Sequence, residues 1–473
     1  MIDQLQAPEA LYKSAQPIHS GYVWFISVVA ALGGLLFGYD WVVIGGAKPF
    51  YEVYFHLDQP SLQGWAMSCA LIGCLFGSLF SGILSERFGR KPALIAAALT
   101  FTLSSLGTGY AGSFDAFIAW RMAGGLAIGL ASSLSPMYIA EVAPADIRGK
   151  LVCLNELTIV LGILAAQVTN WLIAQPVTQA TPSAIFNSWN GQHAWRFMFA
   201  ATAVPAMLFF IGMLFVPESP RWLAMRGRTA EATRILTRIA GPTHAEFVLY
   251  EMNLTTATSS SVRHELHQLF QPRFRRILVL GVALAVLQQW CGINVIFNYA
   301  QDIFSAAGYP LSSILFNIVV TGITMVIFTF LAIATIDRNG RRPLMLLGSG
   351  GLVLIYILLG TLFHLHSHGL PMLILVVAAL ACYAMTLAPV TWVILSEIFP
   401  GPVRGTAMAI ATASLWIACF VLTYTFPLLN KAVGTANTFW IYACICAVGF
   451  FFMRARLPET RHKTLEEIES SWT

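Results

Sequence analysis

Charge is what this chain of 473 residues has least of: Asp, Glu, Lys and Arg make up 10% of it, against 57% hydrophobic residues and a mean hydropathy of +0.71. So little polar surface cannot cover a soluble globule of this length, which excludes one. Also missing are a nucleophile–base set, metal-ligand spacing and a phosphate-cradling loop, so no enzyme, cofactor or metal centre is expected. No cleavable signal peptide is evident either, because the opening MIDQLQAPEALYKSAQP is polar and the first apolar run is long enough to span a membrane.

What is present is a series of apolar runs, each long enough to carry a helix through roughly 30 Å of hydrocarbon. They lie near 22–46, 61–84, 93–112, 114–140, 150–174, 194–216, 274–301, 311–335, 343–364, 371–398, 404–428 and 435–453. The expectation is an all-α membrane protein of twelve transmembrane helices, with the lipid bilayer as its first partner. Of the 27 Lys and Arg, 23 fall in the termini, the even-numbered loops or their helix ends; only Lys48 and Lys431 fall in the opposite loops, and Arg121 and Arg196 lie in or at the edge of spans. The positive-inside rule then puts both termini in the cytoplasm. This bias also explains the net charge of +5, so no nucleic-acid partner is expected. The eight cysteines all lie in apolar runs and read as packing. The histidines of HLHSH, His364 to His368, read as a solvated outer loop, and the sequon at Asn253 is discounted on the cytoplasmic side.

The chain contains its own repeat. SERFGRKPAL (Ser85 to Leu94) and IDRNGRRPLM (Ile336 to Met345) follow spans two and eight, at an offset of 251 residues; EVAPADIRG from Glu141 and EIFPGPVRG from Glu397 follow spans four and ten, at an offset of 256. Two motifs in one order at nearly one offset imply two six-helix halves related by an axis along the membrane normal, a transporter architecture with its substrate between the halves. The expected division is 1–216 for an N-terminal bundle with its cytoplasmic N-terminus, 217–273 for a cytoplasmic linker of short helices, 274–454 for a C-terminal bundle and 455–473 for a cytoplasmic tail.

Polar residues inside these runs are costly and therefore mark function. Asp40 is the one charged residue between Tyr22 and Ala47. The seventh run carries Gln288, Gln289 and Asn294; a straight helix would hold Gln288 and Asn294 about 120° apart, and they share a cavity only if the backbone unwinds, which Gly292 permits. Spacing alone leaves solute binding and helix-to-helix bonding equally open. In the fifth run Glu156, Gln167 and Asn170 fall within about 60° of one another on a helical wheel, a stripe turned toward protein or cavity. Trp392, in the tenth span, has an aromatic face able to pack on the C–H side of a pyranose.

With these motifs in family order, RMAGGLAIGLASSLSPMYIAEVAP from Arg121, PESPRWL from Pro217, QQWCGIN from Gln288, PVTWVILSEIFP from Pro389 and LPETRHKTLEEIE from Leu457, the chain resembles the sugar porters of the major facilitator superfamily from about Gly33 to Glu469. The resemblance implies the major facilitator fold and transport of a monosaccharide or related polyol. It implies that Gln288, Gln289, Asn294 and Trp392 line the sugar site. Asp40 matches the aspartate of proton-coupled symporters, with Arg121 as its partner, and mammalian facilitative carriers have asparagine there. The motif-end residues Glu86, Arg87, Arg90, Glu141, Arg148, Glu218, Arg221, Asp337, Arg338, Arg341, Glu397 and Arg404 would form a cytoplasmic ion-pair gate that closes while the cavity faces outward. Where similar porters have a sugar-binding glutamine, this chain has Glu156, read either as a substrate ligand or as a second titrating group. Met325, Leu415, Cys419 and Asn298 also depart from the family pattern.

The expected function is secondary active import of a sugar or polyol with a proton, by alternating access, in a monomer of the bacterial inner membrane. The rivals are a uniporter in which Asp40 forms a permanent salt bridge and, further off, a non-transporting sugar sensor.

Overall fold

The computed structural model describes residues 20–176, 181–256, 269, 271–400 and 403–461. The termini beyond these bounds and the side chains of Asp337 and Asn253 lie outside the described set. Among the described residues every regular element is a helix.

Eleven helices are long and apolar enough to cross a membrane: Gly21–Tyr54, Pro60–Phe88, Arg90–Gly109, Phe114–Val142, Ile147–Ile173, Asn190–Phe215, Phe274–Asn298, Ser313–Ile336, Arg341–His364, Leu370–Ile398 and Arg404–Arg456. The last has 53 residues, about 80 Å at 1.5 Å per residue, more than twice the hydrocarbon thickness. It is interrupted at Gly434 (φ 81°, ψ 163°), a backbone geometry reserved for glycine. It therefore makes two crossings, and with the ten others completes the expected twelve. Between crossings six and seven run the short helices Pro220–Met225, Thr229–Ala240 and Pro242–Thr256.

Two lysines sit differently from expectation. Lys48, assigned to a loop, lies inside the first helix, which continues to Tyr54 because Glu52, one turn on, takes the lysine's charge at 3.0 Å. Lys431 likewise lies within the 53-residue helix. Apolar periodicity ends where these charges begin; helical hydrogen bonding does not.

In the N-terminal half, crossing one packs on crossing five and crossing two on crossing four. The second seam is close because Gly125 and Gly129 lie directly against the carbonyls of Ala70 and Cys74, where any side chain would collide with backbone; small residues let membrane helices approach in this way. The two halves meet along two further seams, crossing two against the long C-terminal helix and crossing five against crossing eight. The functional side chains lie between these seams.

Candidate functional site

Asp40 and Arg121 meet deep in the N-terminal half. Arg121 Nη1 donates to Asp40 Oδ1 at 2.5 Å, and the two residues are only 4% and 6% exposed. The guanidinium also lies 5.4 Å from the ring of Phe199, while its Nε has no acceptor. A buried ion pair recovers its desolvation cost only when its remaining donors are satisfied, so this pair is held below its full strength. Beside it is a cavity of about 20 Å³, room for one water. Its walls include Asp40, Trp41, Cys74 and Arg121 from the first half and Asn298 from the second.

Asn298 belongs to the seventh crossing, which is broken. Its first helix ends at Trp290, Gly292 takes a left-handed conformation (φ 84°, ψ −3°), and Ile293–Asn298 begins a new direction. A side chain at Gly292 would meet the ring of Tyr442 at 2.8 Å, so both conformation and space demand glycine. The break lets amides on either side of it bond to each other. Asn294 Nδ2 donates to Gln289 Oε1, Gln289 Nε2 to Gln288 Oε1 at 2.7 Å, and Gln288 Nε2 to the Tyr383 hydroxyl at 3.0 Å. All four residues are buried, and the chain of donors links crossing seven to crossing ten. Crossing ten is broken too, at Thr386 (φ −127°, ψ −86°). Tyr383 lies just before that break, and Trp392 lies beyond it, packed against the core from the helix Leu387–Ile398.

The polar stripe of the fifth crossing divides. Gln167 reaches across to the other half, its Nε2 3.4 Å from Thr321 Oγ1 on crossing eight, while its own carbonyl oxygen lacks a donor. Asn170 stays at home and bonds the Val43 carbonyl of crossing one at 3.0 Å. Glu156 is partly buried and has no hydrogen-bond or ion-pair partner among the described residues. Thus Gln288, Gln289 and Asn294 form one bonded group, and Glu156, Gln167 and Trp392 are not bonded to it.

The motif end of the bundle holds two matching clusters, one in each half. In the first, Arg90 grips Glu141 through Nε and Nη2, each at 3.0 Å. Glu218 accepts the backbone N–H groups of Arg90 and Lys91 at 3.0 and 3.1 Å, and Ser219 donates to Glu141 at 2.5 Å. In the second, Arg341 pairs with Glu397 at 3.1 Å. Glu459 accepts the N–H groups of Arg341 and Arg342, each at 3.0 Å, and Thr460 donates to Glu397 at 2.6 Å. Arg148 and Arg404 each turn back to a carbonyl five residues earlier, Ala143 and Phe399. Glu86, Arg87, Arg221 and Arg338 are exposed. These bonds therefore hold each cluster within its own half.

At the opposite end the halves are bonded to each other. Lys48 Nζ binds Glu52 at 3.0 Å and, across the interface, Asp302 at 2.9 Å. It is 4% exposed. Gly45 abuts the backbone of Phe297 and Asn298; nearer mid-depth, Trp416 packs edge-on to Phe37 and beside Trp41 across the interface, with ring centroids 5.8 and 6.3 Å apart. Sequence reasoning missed Lys48, Asp302, Trp416, Glu459, Ser219 and Thr460. The last three carried a readable signal, since PES at 217–219 and PET at 458–460 repeat in corresponding places.

A family model described as "Sugar (and other) transporter" matches residues 26–472. The chain belongs to that transporter family. This transporter is 37% identical to the D-xylose-proton symporter of Escherichia coli (strain K12), with 96% of each chain covered. It is 40% identical to the arabinose-proton symporter of Bacillus subtilis (strain 168), over 96% of this chain and 95% of that one. It also matches the glucose transport protein of Synechocystis at 37% identity, covering 94% and 97%. Among solved structures, the inward-open xylose transporter of E. coli superposes with a TM-score of 0.83 at 36% identity, covering 95% of this transporter and all of that chain. The same carrier bound to 6-bromo-6-deoxy-D-glucose gives 0.77 at 37% identity, covering 96% and 100%. The transporter is an integral membrane protein of the major facilitator fold.

Proposed function

We propose that this transporter imports a monosaccharide or related polyol together with a proton, by alternating access. One observation carries the reading: a buried, incompletely satisfied Asp40–Arg121 pair stands at the wall of a cavity whose far side, Asn298, belongs to the other half. Desolvation favours the protonated carboxyl and the arginine favours the ionised one. Rocking of the halves changes the balance between them, and with it the proton on Asp40. The proton-coupled relatives named above support the reading.

In this scheme Gln288, Gln289, Asn294 and Trp392 bind the sugar, with Glu156 and Gln167 facing it from the first half. Glu86, Arg87, Arg90, Glu141, Arg148, Glu218, Arg221, Asp337, Arg338, Arg341, Glu397 and Arg404 form the gate at the motif end. The bias of Lys and Arg toward that end supports a cytoplasmic location for it and for both termini. The working unit is a monomer of a bacterial inner membrane, divided at about 216, 273 and 454.

The test is uptake of labelled pentoses, hexoses, deoxysugars and inositols into proteoliposomes, with and without an imposed pH gradient. Accumulation that depends on the gradient is the expected result. Initial rates indifferent to it identify a uniporter, with Asp40–Arg121 a permanent salt bridge.

A further inference from the structure

Among the described residues, the carboxylates inside the bundle have their charge met, with one exception. Asp40 has Arg121; Glu52 and Asp302 share Lys48; Glu141 has Arg90; Glu397 has Arg341; Glu218 and Glu459 each accept two backbone N–H groups, from the first turns of the helices that begin at Arg90 and Arg341. Glu156 has neither a cation nor a hydrogen-bond donor among the described residues, although it lies eleven residues beyond Ala145, where its helix begins, roughly 16 Å along it at 1.5 Å per residue. An ionised carboxylate taken out of water without a partner is unfavourable by several kcal/mol. Such a group either takes up a proton or is matched by something that comes and goes and supplies the missing charge or hydrogen bonds.

The direction in which Glu156 faces says what comes and goes. It precedes Gln167 by eleven residues, about 20° of rotation, so the two share one helix face. Gln167 crosses to the second half at Thr321. Glu156 therefore faces the second half at a depth nearer the motif end, and its charge acts on the hydroxyl of Tyr383, the residue that ends the Gln288 chain. The bare carboxylate therefore lies near the Tyr383 end of the chain of amides, and a solute held between the halves there would meet both. A neutral sugar brings hydroxyls to that space and leaves the negative charge uncancelled; a sugar bearing an ammonium group brings both hydroxyls and the countercharge, in a charge-assisted bond roughly twice as strong as a neutral one.

We infer that Glu156 is a recognition site for an ammonium group, so that the substrates bound most tightly are amino sugars or amino polyols. The inference rests on the reading of the chain as a sugar carrier. Neutral sugars enter the same site with Glu156 protonated and bind more weakly.

The test is binding to the purified transporter at pH 7, read from the intrinsic fluorescence of its tryptophans. The probes are mono-amino hexoses with the amine at C2, C3, C4 or C6, their N-acetyl counterparts, and D-glucose and D-xylose. At least one free amine should bind ten-fold or more tightly than both its N-acetyl form and the neutral sugar. Glu156→Gln should abolish that preference, and Glu156→Asp, which keeps the charge, should retain part of it. Equal affinity for amine and neutral sugars, or a preference that survives in Glu156→Gln, overturns the inference. Neutral sugars bound without any amine preference leave the carrier reading standing while this one falls; no binding of any probe, neutral or amino, removes both.

Discussion

At the scale of single residues, the chemistry of this transporter depends on a few polar atoms placed where lipid or packing would otherwise exclude them. Asp40→Asn keeps the shape of the carboxyl and removes its proton. The variant should still bind and exchange solute in proteoliposomes while losing uptake against a gradient; accumulation equal to that of the unaltered transporter would end the coupling role of Asp40. Gln288→Ala removes the donor to Tyr383 and the acceptor for Gln289 together. If a sugar hydroxyl is left unpaired as well, affinity should fall by roughly 1–3 kcal/mol, read as a five- to 150-fold rise in Kd by titration. Trp392→Ala should weaken binding through lost ring packing, and unaltered affinity in both folded variants would move the site elsewhere. Asp40 and Gln288 stood out as candidates because a membrane makes isolated polarity conspicuous, and Trp392 only through the family resemblance. Trp416 did not, since an aromatic residue in an apolar run reads the same whether it faces lipid or, as here, Phe37 and Trp41 across the interface.

At the scale of elements, the breaks in crossings seven and ten matter more than the helices they interrupt. Gly292 could be read in advance as a permitted break because polar residues flanked it on incompatible faces. The break at Thr386 had a quieter cue in Pro389, which has no N–H to give the carbonyl four residues earlier and crowds it. The ion group at the end opposite the motifs was invisible. Lys48 and Asp302 are 254 residues apart, on elements whose adjacency no local pattern reveals. Lys48→Ala should leave Glu52 and Asp302 facing each other without their cation. Stranding a buried charge in this way is worth about 3–5 kcal/mol, and less here because Asp302 is partly exposed. The population should shift toward conformations open at that end, so a thiol engineered beside Asp302 should label at least several-fold faster. An unchanged labelling rate would show that the apolar contacts alone keep this end shut.

Across the whole molecule, the duplicated architecture was the most legible feature, because repeats at offsets of 251 and 256 residues need no structure to be seen. The structure extends the duplication to PES and PET, whose carboxylates cap the GRK and GRR turns alike. Among the described residues the bonds given above for the motif end lie within halves, and the cross-half clamp implied by resemblance is proposed for the alternate state. Arg148→Ala or Arg404→Ala should then destabilise only that alternate state and raise accessibility at the motif end, measured by a thiol beside Glu397. Equal accessibility in variant and parent would count against the clamp.

The buried pair of Asp40 and Arg121 also has an electrical consequence. As ionised partners the two residues sum to zero, so reorientation of the empty carrier moves no net charge through them. A proton on Asp40 leaves the arginine's positive charge uncancelled, and each elementary charge moved across 100 mV is worth about 2.3 kcal/mol. Sugar arrival should therefore register as an inward current in a voltage-clamped bilayer, larger when the inside is negative and absent in Asp40→Asn.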